Sequence, residues 1–150
     1  FTAPARTAEW RLGAGAGRRY ADVSGDWNPI HLTGVSARLF GMKGAIAHGM
    51  LLAARMLQGR EPAAGGFRWE IEFDAPVVLP GTVAVRYEPA DGQGTRVIGW
   101  DGRRGRRHFT GRIAPRADCA DDAARHRPPG RSVPGACAVL VLCRARPGGA

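Results

Sequence analysis

The residues with the clearest chemical potential lie together at positions 24–31, where the sequence is SGDWNPIH. Asp26 supplies a carboxylate and His31 an imidazole, and Pro29 stiffens the chain between them because its ring fixes φ. A carboxylate and an imidazole that converge on one point can hold a water molecule and remove a proton from it. A simpler interpretation also remains open, in which Asp26 caps a helix, Asn28 satisfies turn amides and His31 bonds a backbone carbonyl.

A metal site is not expected from these residues. Asp, Asn and His, with no second His or Cys close by in the sequence, form a poor ligand set for zinc. The three cysteines are odd in number and lack CxxC spacing, so they predict neither a disulfide framework nor a zinc site. A reducing cytoplasm is therefore the expected compartment. These cysteines are Cys119, Cys137 and Cys143.

Helices that could position this segment are indicated by the hydrophobic pattern. Short helices are predicted over residues 18–23 and 34–40. A longer helix is predicted over residues 45–57, where AIAHGMLLAARML has a single charged residue. Because this helix is apolar on more than one side, we expect it to be buried. Three glycines before the first helix match neither phosphate-binding pattern and are predicted to form a flexible turn: Gly13, Gly15 and Gly17.

Downstream of residue 60 the pattern changes from helical to alternating. Residues 67–73 alternate apolar and charged side chains, which predicts a half-buried strand. Because such a sheet must bury its apolar face, the helix at 45–57 is expected to cover it. The predicted fold class is therefore α+β, with a curved antiparallel sheet wrapped around a central buried helix. Further segments predicted are an extended lead-in over 1–11, strands over 82–88, 95–100 and 106–114, and a tight hairpin at Asp101-Gly102.

The 150 residues fit one compact domain. We divide them into a folded domain over 1–115 and an irregular, poorly ordered tail over 116–150, rich in Arg, Pro and Ala. The longest apolar run, residues 136–143, is shorter than the ~20 residues that cross a bilayer, so no membrane association or signal peptide is predicted. The chain begins with Phe1 rather than Met, which leaves open that it is part of a longer protein.

The net charge of +9 raises the question of a nucleic-acid partner, because Lys and Arg replace phosphate counterions. All but one of the 22 basic residues are Arg, in a chain rich in Ala, Gly and Pro, which is typical of a gene biased toward G and C. No nucleic-acid partner is therefore expected. The densest basic cluster is predicted to be a solvated hairpin, with contact to coenzyme phosphates as the alternative: Arg103, Arg104, Arg106 and Arg107.

Two sequence motifs together indicate a family. Residues 20–31 read YADVSGDWNPIH, and residues 45–50 read AIAHGM. This combination resembles the MaoC-like dehydratase family, the (R)-specific enoyl-CoA hydratases of the hotdog fold. The resemblance covers roughly residues 11–115. It implies the hotdog fold, which agrees with the helix and curved sheet predicted from the hydrophobic pattern.

The resemblance also implies roles for individual residues. Asp26 and His31 match the catalytic pair that activates water for addition to a trans-2-enoyl thioester. Gly49 matches the glycine whose N–H receives the thioester carbonyl. It implies no metal and no cofactor. The residues that it assigns to shaping the loop and contacting substrate are Asn28, His48 and Met50.

The function expected from the resemblance is that of a hydro-lyase, an (R)-specific enoyl-CoA hydratase or 3-hydroxyacyl thioester dehydratase. One alternative is a 3-hydroxyacyl-[acyl-carrier-protein] dehydratase of fatty-acid or polyketide synthesis. Another is a non-catalytic hotdog subunit that binds acyl thioesters. The expected partners are an acyl-CoA or acyl-carrier-protein substrate and a second hotdog unit, as a homodimer or as half of a double-hotdog assembly.

Overall fold

The computed structural model describes residues 1–60, 67–91 and 94–115, together with the strand at 141–145. The helices are short and lie in the first half of the chain, whereas most strands follow them. The helices are α1 (Ala16–Ser24), α2 (Pro29–Leu32), α3 (Gly34–Leu39) and α4 (Gly49–Leu57). The strands are β1 (Ala8–Leu12), β2 (Phe67–Phe73), β3 (Gly81–Ala90), β4 (Gly94–Trp100), β5 (Arg107–Pro115) and β6 (Val141–Ala145).

The strands form one six-stranded sheet in the order β1-β3-β4-β5-β2-β6. The first five strands in this order are antiparallel to their neighbours, and among the described strands only β6 runs parallel to its neighbour, β2. The pairing of β4 with β5 shifts register between Gly99 and Trp100, a bulge of the kind that bends a sheet. This gives the sheet a face against which α4 can pack.

Alternation along the strands creates that face. Trp69 and Ile71 of β2 and Val83 and Val85 of β3 are buried on it, because side chains two residues apart point to the same side of a sheet. Met56 of α4 is fully buried in the same cluster. Burial of such a side chain contributes on the order of 2 kcal/mol relative to exposure. The fold is therefore held by contact between α4 and the sheet.

The opposite face of the sheet carries a smaller apolar cluster. Ala84, Ile98 and Trp100 are buried there, out of phase with the main core. The ring of Phe1 lies edge-on to Trp100, with 6.3 Å between centroids. The chain before β1 thus covers part of this second face.

The predicted fold class is confirmed, and most predicted elements are present within a few residues of their expected bounds. The helix expected over 45–57 begins only at Gly49, because Ile46 pairs with Val78 and the N–H of Ala47 donates to the carbonyl of Val77 (2.8 Å). The helix is buried through Leu52, Ala53 and Met56, as expected, while Met50 in its first turn is 42% exposed. The strand pairing therefore takes up the first residues of the predicted helix.

The turn between β4 and β5 is longer than the tight hairpin predicted at Asp101-Gly102. The strands end at Trp100 and resume at Arg107, and residues 101–106 connect them. The N–H of Asp101 donates to the carbonyl of Arg106 (2.9 Å), and the N–H of Gly105 donates to the carbonyl of Asp101 (2.9 Å). These hydrogen bonds close a six-residue loop. Gly105 adopts a positive φ of 64°, which helps the chain to reverse direction and which glycine adopts at low cost.

The tail predicted to be irregular contains a described strand. Val141–Ala145 pairs with β2, in register from Trp69 to Phe73, which differs from the irregular structure expected over 116–150. The apolar residues at 141–143 supply the pattern that a strand at a sheet edge uses. The rest of the tail, with Cys119 and Cys137, lies outside the described residues, and the division at residue 115 stays a prediction.

Candidate active site

Side chains of the segment after α1 bond to its own backbone. Gly25 ends α1 with a φ of 75°, a left-handed conformation that glycine adopts at low cost. Asp26 Oδ1 then accepts from the N–H of Asn28 (3.2 Å), and Asn28 Oδ1 accepts from the N–H of Ile30 (3.3 Å). Asn28 thereby caps α2, whose first residue is Pro29. The segment is consequently a bent connection with few free backbone donors.

His31, near the end of α2, is held by a backbone carbonyl. Its Nδ1 lies 2.7 Å from the carbonyl oxygen of Ile46. Because a carbonyl only accepts, Nδ1 carries the proton, and Nε2 of the neutral ring has a lone pair. Gly17 of α1 lies so close to the His31 carbonyl that a β-carbon would overlap it. Only glycine at position 17 lets α1 and α2 approach in this way.

His48 forms the buried wall of the site. Its side chain is 3% exposed, and its ring stacks on that of His31 with 3.8 Å between centroids. Its Nε2–H donates to the backbone carbonyl of Asp26 (3.0 Å) and lies 3.7 Å from Asp26 Oδ2. Its Nδ1 is buried with no hydrogen-bond partner in the described part of the chain. His48 therefore connects α4 to both candidate catalytic residues.

Asp26, His31 and His48 bring their polar side-chain atoms together. One ligand atom from each lies within 4.8 Å of the other two. Since a water accepts or donates at about 2.7–3.2 Å, one molecule could bridge two such groups. The carboxylate is solvent-accessible, with 54% of the side chain exposed, so water can reach it. The same three groups could surround a cation, but each imidazole directs one N–H at a carbonyl and the two rings are stacked rather than turned toward one point.

The electrostatic environment keeps His31 neutral near neutral pH. Burial lowers its pKa below the ordinary value of 6.5, and the electrostatic effect of the neighbouring His48 lowers it further. The hydrogen bond to Ile46 and the charge of Asp26 act in the opposite direction. Neutral imidazole is the form that accepts a proton from water, so the site holds His31 in the state that a general base requires.

Gly49 and Met50 lie where the sequence places them, at the start of α4. The first N–H groups of a helix have no intrahelical acceptor and carry partial positive charge, so this end could receive a carbonyl oxygen. A β-carbon on Gly49 would lie 3.1 Å from the ring of Phe73, so close packing also accounts for glycine here. Met50 is 42% exposed beside it.

Several residues that shape the site were not anticipated from sequence. The turn predicted over Gly13, Gly15 and Gly17 is wrong at Gly17, which lies inside α1 against α2. The ring of Tyr20 lies 4.9 Å from that of His48. Ile46 contributes only its backbone carbonyl. No periodic pattern could have revealed these contacts, since each depends on which helices become neighbours.

Comparison with known families and proteins gives a consistent result. The family model described as MaoC like domain matches residues 6–99. The 3-hydroxyacyl-thioester dehydratase X of Mycobacterium tuberculosis is 44% identical over 87 residues, covering 56% of this chain and 28% of that protein. The mitochondrial 3-hydroxyacyl-[acyl-carrier-protein] dehydratase of Arabidopsis thaliana is 35% identical over 65 residues, covering 41% of this chain and 39% of that protein. The chain thus spans less than half the length of these curated relatives.

Solved structures agree with the sequence comparison. The crystal structure of HtdX from Mycobacterium tuberculosis superimposes with a TM-score of 0.68 and 35% identity, over 74% of this chain and 48% of that one. The (R)-hydratase from A. caviae involved in PHA biosynthesis gives a TM-score of 0.55 at 26% identity, over 75% of this chain and 93% of that one. The hotdog fold predicted from the two motifs is therefore confirmed.

Proposed function

The chain belongs to the MaoC-like dehydratase family, and on that premise we propose that it is a hydro-lyase that adds water to a trans-2-enoyl-CoA or removes it from the (R)-3-hydroxyacyl thioester. Asp26 and His31 are the catalytic pair in this proposal. The observation that carries it is the hydrogen bond from His31 Nδ1–H to the Ile46 carbonyl at 2.7 Å, which leaves the Nε2 lone pair available. The names of two relatives, both 3-hydroxyacyl dehydratases, support the same reaction class.

In the hydration direction, the pair holds the attacking water. His31 Nε2 takes a proton from it while the oxygen forms a bond to C3, and the double-bond electrons move toward the thioester carbonyl. The enolate then takes a proton at C2 from the imidazolium, which restores neutral His31 and completes the addition of one water. Dehydration is the same path in reverse, and neither direction consumes a cofactor.

The start of α4 has the properties needed to stabilise the enolate. The Gly49 N–H would donate to the thioester oxygen, where negative charge develops, and one such donor contributes about 3 kcal/mol to transition-state stabilisation. Asn28 holds the loop through its cap on α2. His48 and Met50, next to Gly49 in sequence, would line the space beside the acyl group. These assignments explain why the two motifs occur together.

We further propose that this hotdog unit works with a second one. The chain covers 48% of the length of HtdX, and large apolar side chains between residues 23 and 50 remain exposed. Exposed apolar patches of this kind are typical of protein interfaces. They are contributed by Val23, Trp27, Val35, Leu39, Phe40 and Met50.

The remaining alternatives differ in their support. An acyl-carrier-protein substrate is supported by the name of the Arabidopsis relative alone. A non-catalytic subunit is disfavoured because both Asp26 and His31 are present and adjacent. Among the described residues, no helix is both long and apolar enough to span a membrane. The cytoplasmic location stays a prediction.

The test is hydration of crotonyl-CoA, followed as the loss of enoyl absorbance. We expect His31→Ala to lower kcat by about 100-fold to 10,000-fold, since this is the usual contribution of a general base. Asp26→Asn should cause a loss of similar order. Thermal unfolding measured in parallel should show that both variants remain folded.

A matched control is Asp22→Asn, which changes an exposed carboxylate of α1 four positions before Asp26. This variant should hydrate crotonyl-CoA at the unaltered rate. Unchanged turnover in both Asp26→Asn and His31→Ala would refute the proposed function.

A further inference from the structure

A large basic groove lies beside the candidate site and has no role in the reaction described above. Its volume is about 1160 Å³, and six cationic but only two acidic side chains line it. Its walls come from the 101–106 loop, the segment before α4, the β2–β3 connection and the region around β1. The groove is therefore assembled from four separate parts of the chain, which meet at one end of the sheet.

The charges of this groove are mostly uncompensated. Glu9 pairs with Arg6 (2.6 Å) and with Arg11 (3.1 Å), which accounts for two of the six cations. The other four form no salt bridge with a carboxylate in the described part of the chain. These four, the basic groove residues, are Lys43, Arg103, Arg104 and Arg106. Asp101, which also lines the groove, attracts Arg104 beyond salt-bridge distance.

The loop that carries three of these cations is held in one shape. Asp101 Oδ1 accepts from the N–H groups of Arg103 (2.9 Å) and Arg104 (3.1 Å). The backbone bonds of Asp101 with Arg106 and Gly105 close the loop below them. A fixed backbone lowers the conformational entropy lost when the arginine side chains engage a ligand. The solvated hairpin expected from sequence is thus a preorganised wall of a groove.

The groove also contacts the site. Ile46, whose carbonyl accepts the hydrogen bond from His31 Nδ1–H, lines the groove, and so does Val78, which pairs with Ile46. Ile46 thus lies at the boundary between the groove and the site, because it lines the one and bonds to His31 of the other. This is the relation needed by a substrate whose reacting end and recognised end are far apart.

From these observations we infer that the basic groove residues bind the phosphate groups of the nucleotide part of coenzyme A. This inference rests on the proposed function and selects the CoA thioester over the carrier-protein thioester. Arginine binds phosphate oxygens through charge-assisted, often bidentate hydrogen bonds, and uncompensated cations favour a multiply charged anion. The concave shape and the volume suit a small ligand, whereas carrier-protein docking would require a complementary protein surface.

The direct test measures binding of adenosine 3′,5′-bisphosphate to the full chain by calorimetry. The variant replaces three arginines together: Arg103→Ala, Arg104→Ala and Arg106→Ala. We expect Kd to rise at least about tenfold, and binding to weaken as salt increases, because each charge-assisted contact is screened. Two further ligands separate the contributions of the phosphates and of the nucleoside. Inorganic pyrophosphate should bind more weakly than the nucleotide, and adenosine should not bind.

The matched control removes Arg68, Arg96 and Arg112, which lie on strands outside the groove. This control leaves the net charge equal to that of the groove variant, so a general electrostatic effect would appear in both. Equal Kd values for the two variants would overturn the inference. So would a weaker binding of holo acyl carrier protein to the groove variant without any change for the nucleotide.

Kinetics separate failure of this inference from failure of the proposed function. For crotonyl-CoA, the groove variant should raise KM about tenfold with kcat unchanged, because the phosphates are remote from the reacting atoms. For crotonyl-pantetheine, which lacks the nucleotide, KM should not change. If the groove variant and the unaltered chain both hydrated crotonyl-CoA with the same KM, the groove site alone would be refuted. Absence of hydration in the unaltered chain would refute the proposed function, while the calorimetric result would still stand.

Discussion

The sheet and the candidate site are built by different physical means. The sheet buries apolar side chains against α4, and residues such as Phe109 and Val97 are 0% exposed. The site segment, residues 24–31, contains no buried residue and is held by hydrogen bonds between side chains and backbone. His48 is buried and contacts both candidate catalytic residues, so it belongs to the core and to the site at once.

This difference separates stability from chemistry. Burial in the sheet supplies the folding free energy, since the removal of apolar area from water is the largest favourable contribution to folding. The site needs access to water and substrate, so it uses directional bonds that orient groups while leaving them open. Substitutions in the sheet should therefore lower the free energy of unfolding, whereas substitutions in the site should change the hydration kinetics.

The largest effect on stability is expected from Phe109→Ala. Phe109 is fully buried and stacks on Trp10 with 5.6 Å between centroids. Loss of a buried phenylalanine costs about 3–5 kcal/mol, a large part of the stability of a small domain. Urea unfolding should report this loss as a lower midpoint. The hydration rate per folded molecule should remain unaltered.

The matched control for Phe109→Ala is Phe40→Ala. Phe40 is 62% exposed in one chain, and its truncation should change the free energy of unfolding of a single hotdog unit by less than about 0.5 kcal/mol, measured at a protein concentration at which the units are separate. If Phe109→Ala lowered kcat per folded molecule as well as stability, the separation of the two regions would be wrong.

Sequence reasoning succeeded to different degrees in these two regions. The strand β2 was predicted over 67–73 because alternation has a period that a single segment displays, and the structure has it at Phe67–Phe73. The convergence of Asp26 with His31 was expected from the motif. The carbonyl of Ile46 and the approach of Gly17 were not, since they depend on contacts between segments. Likewise, the pairing of Ile46 with Val78 shortened α4 because tertiary pairing overrides a helical pattern.

A pH profile sharpens the account of the site. Because burial lowers the pKa of His31 below 6.5, the neutral base predominates at pH 7 and is lost only as the pH falls through that lowered pKa. Log kcat/KM for hydration should be level above pH 7 and fall about tenfold per unit on the acid side, equivalent to about 1.4 kcal/mol. Stopped assays from pH 4.5 to 8 measure this. An acid limb centred above pH 6.5 would contradict the proposed state of His31.

The smallest effect, and the one that joins the two regions, is expected from His48→Gln. A glutamine amide can still donate to the Asp26 carbonyl. The substitution removes the ring that stacks on His31, and with it the electrostatic effect of His48 that lowers the pKa of His31. Asp26 and Tyr20, the other titratable groups beside these rings, are kept. The acid limb of the hydration profile should therefore move to higher pH by less than about one unit, a change of under 1.4 kcal/mol. A purely structural role would lower stability without moving that limb. An unmoved limb in a folded variant would therefore show that His48 stabilises the fold but does not set the pKa of His31.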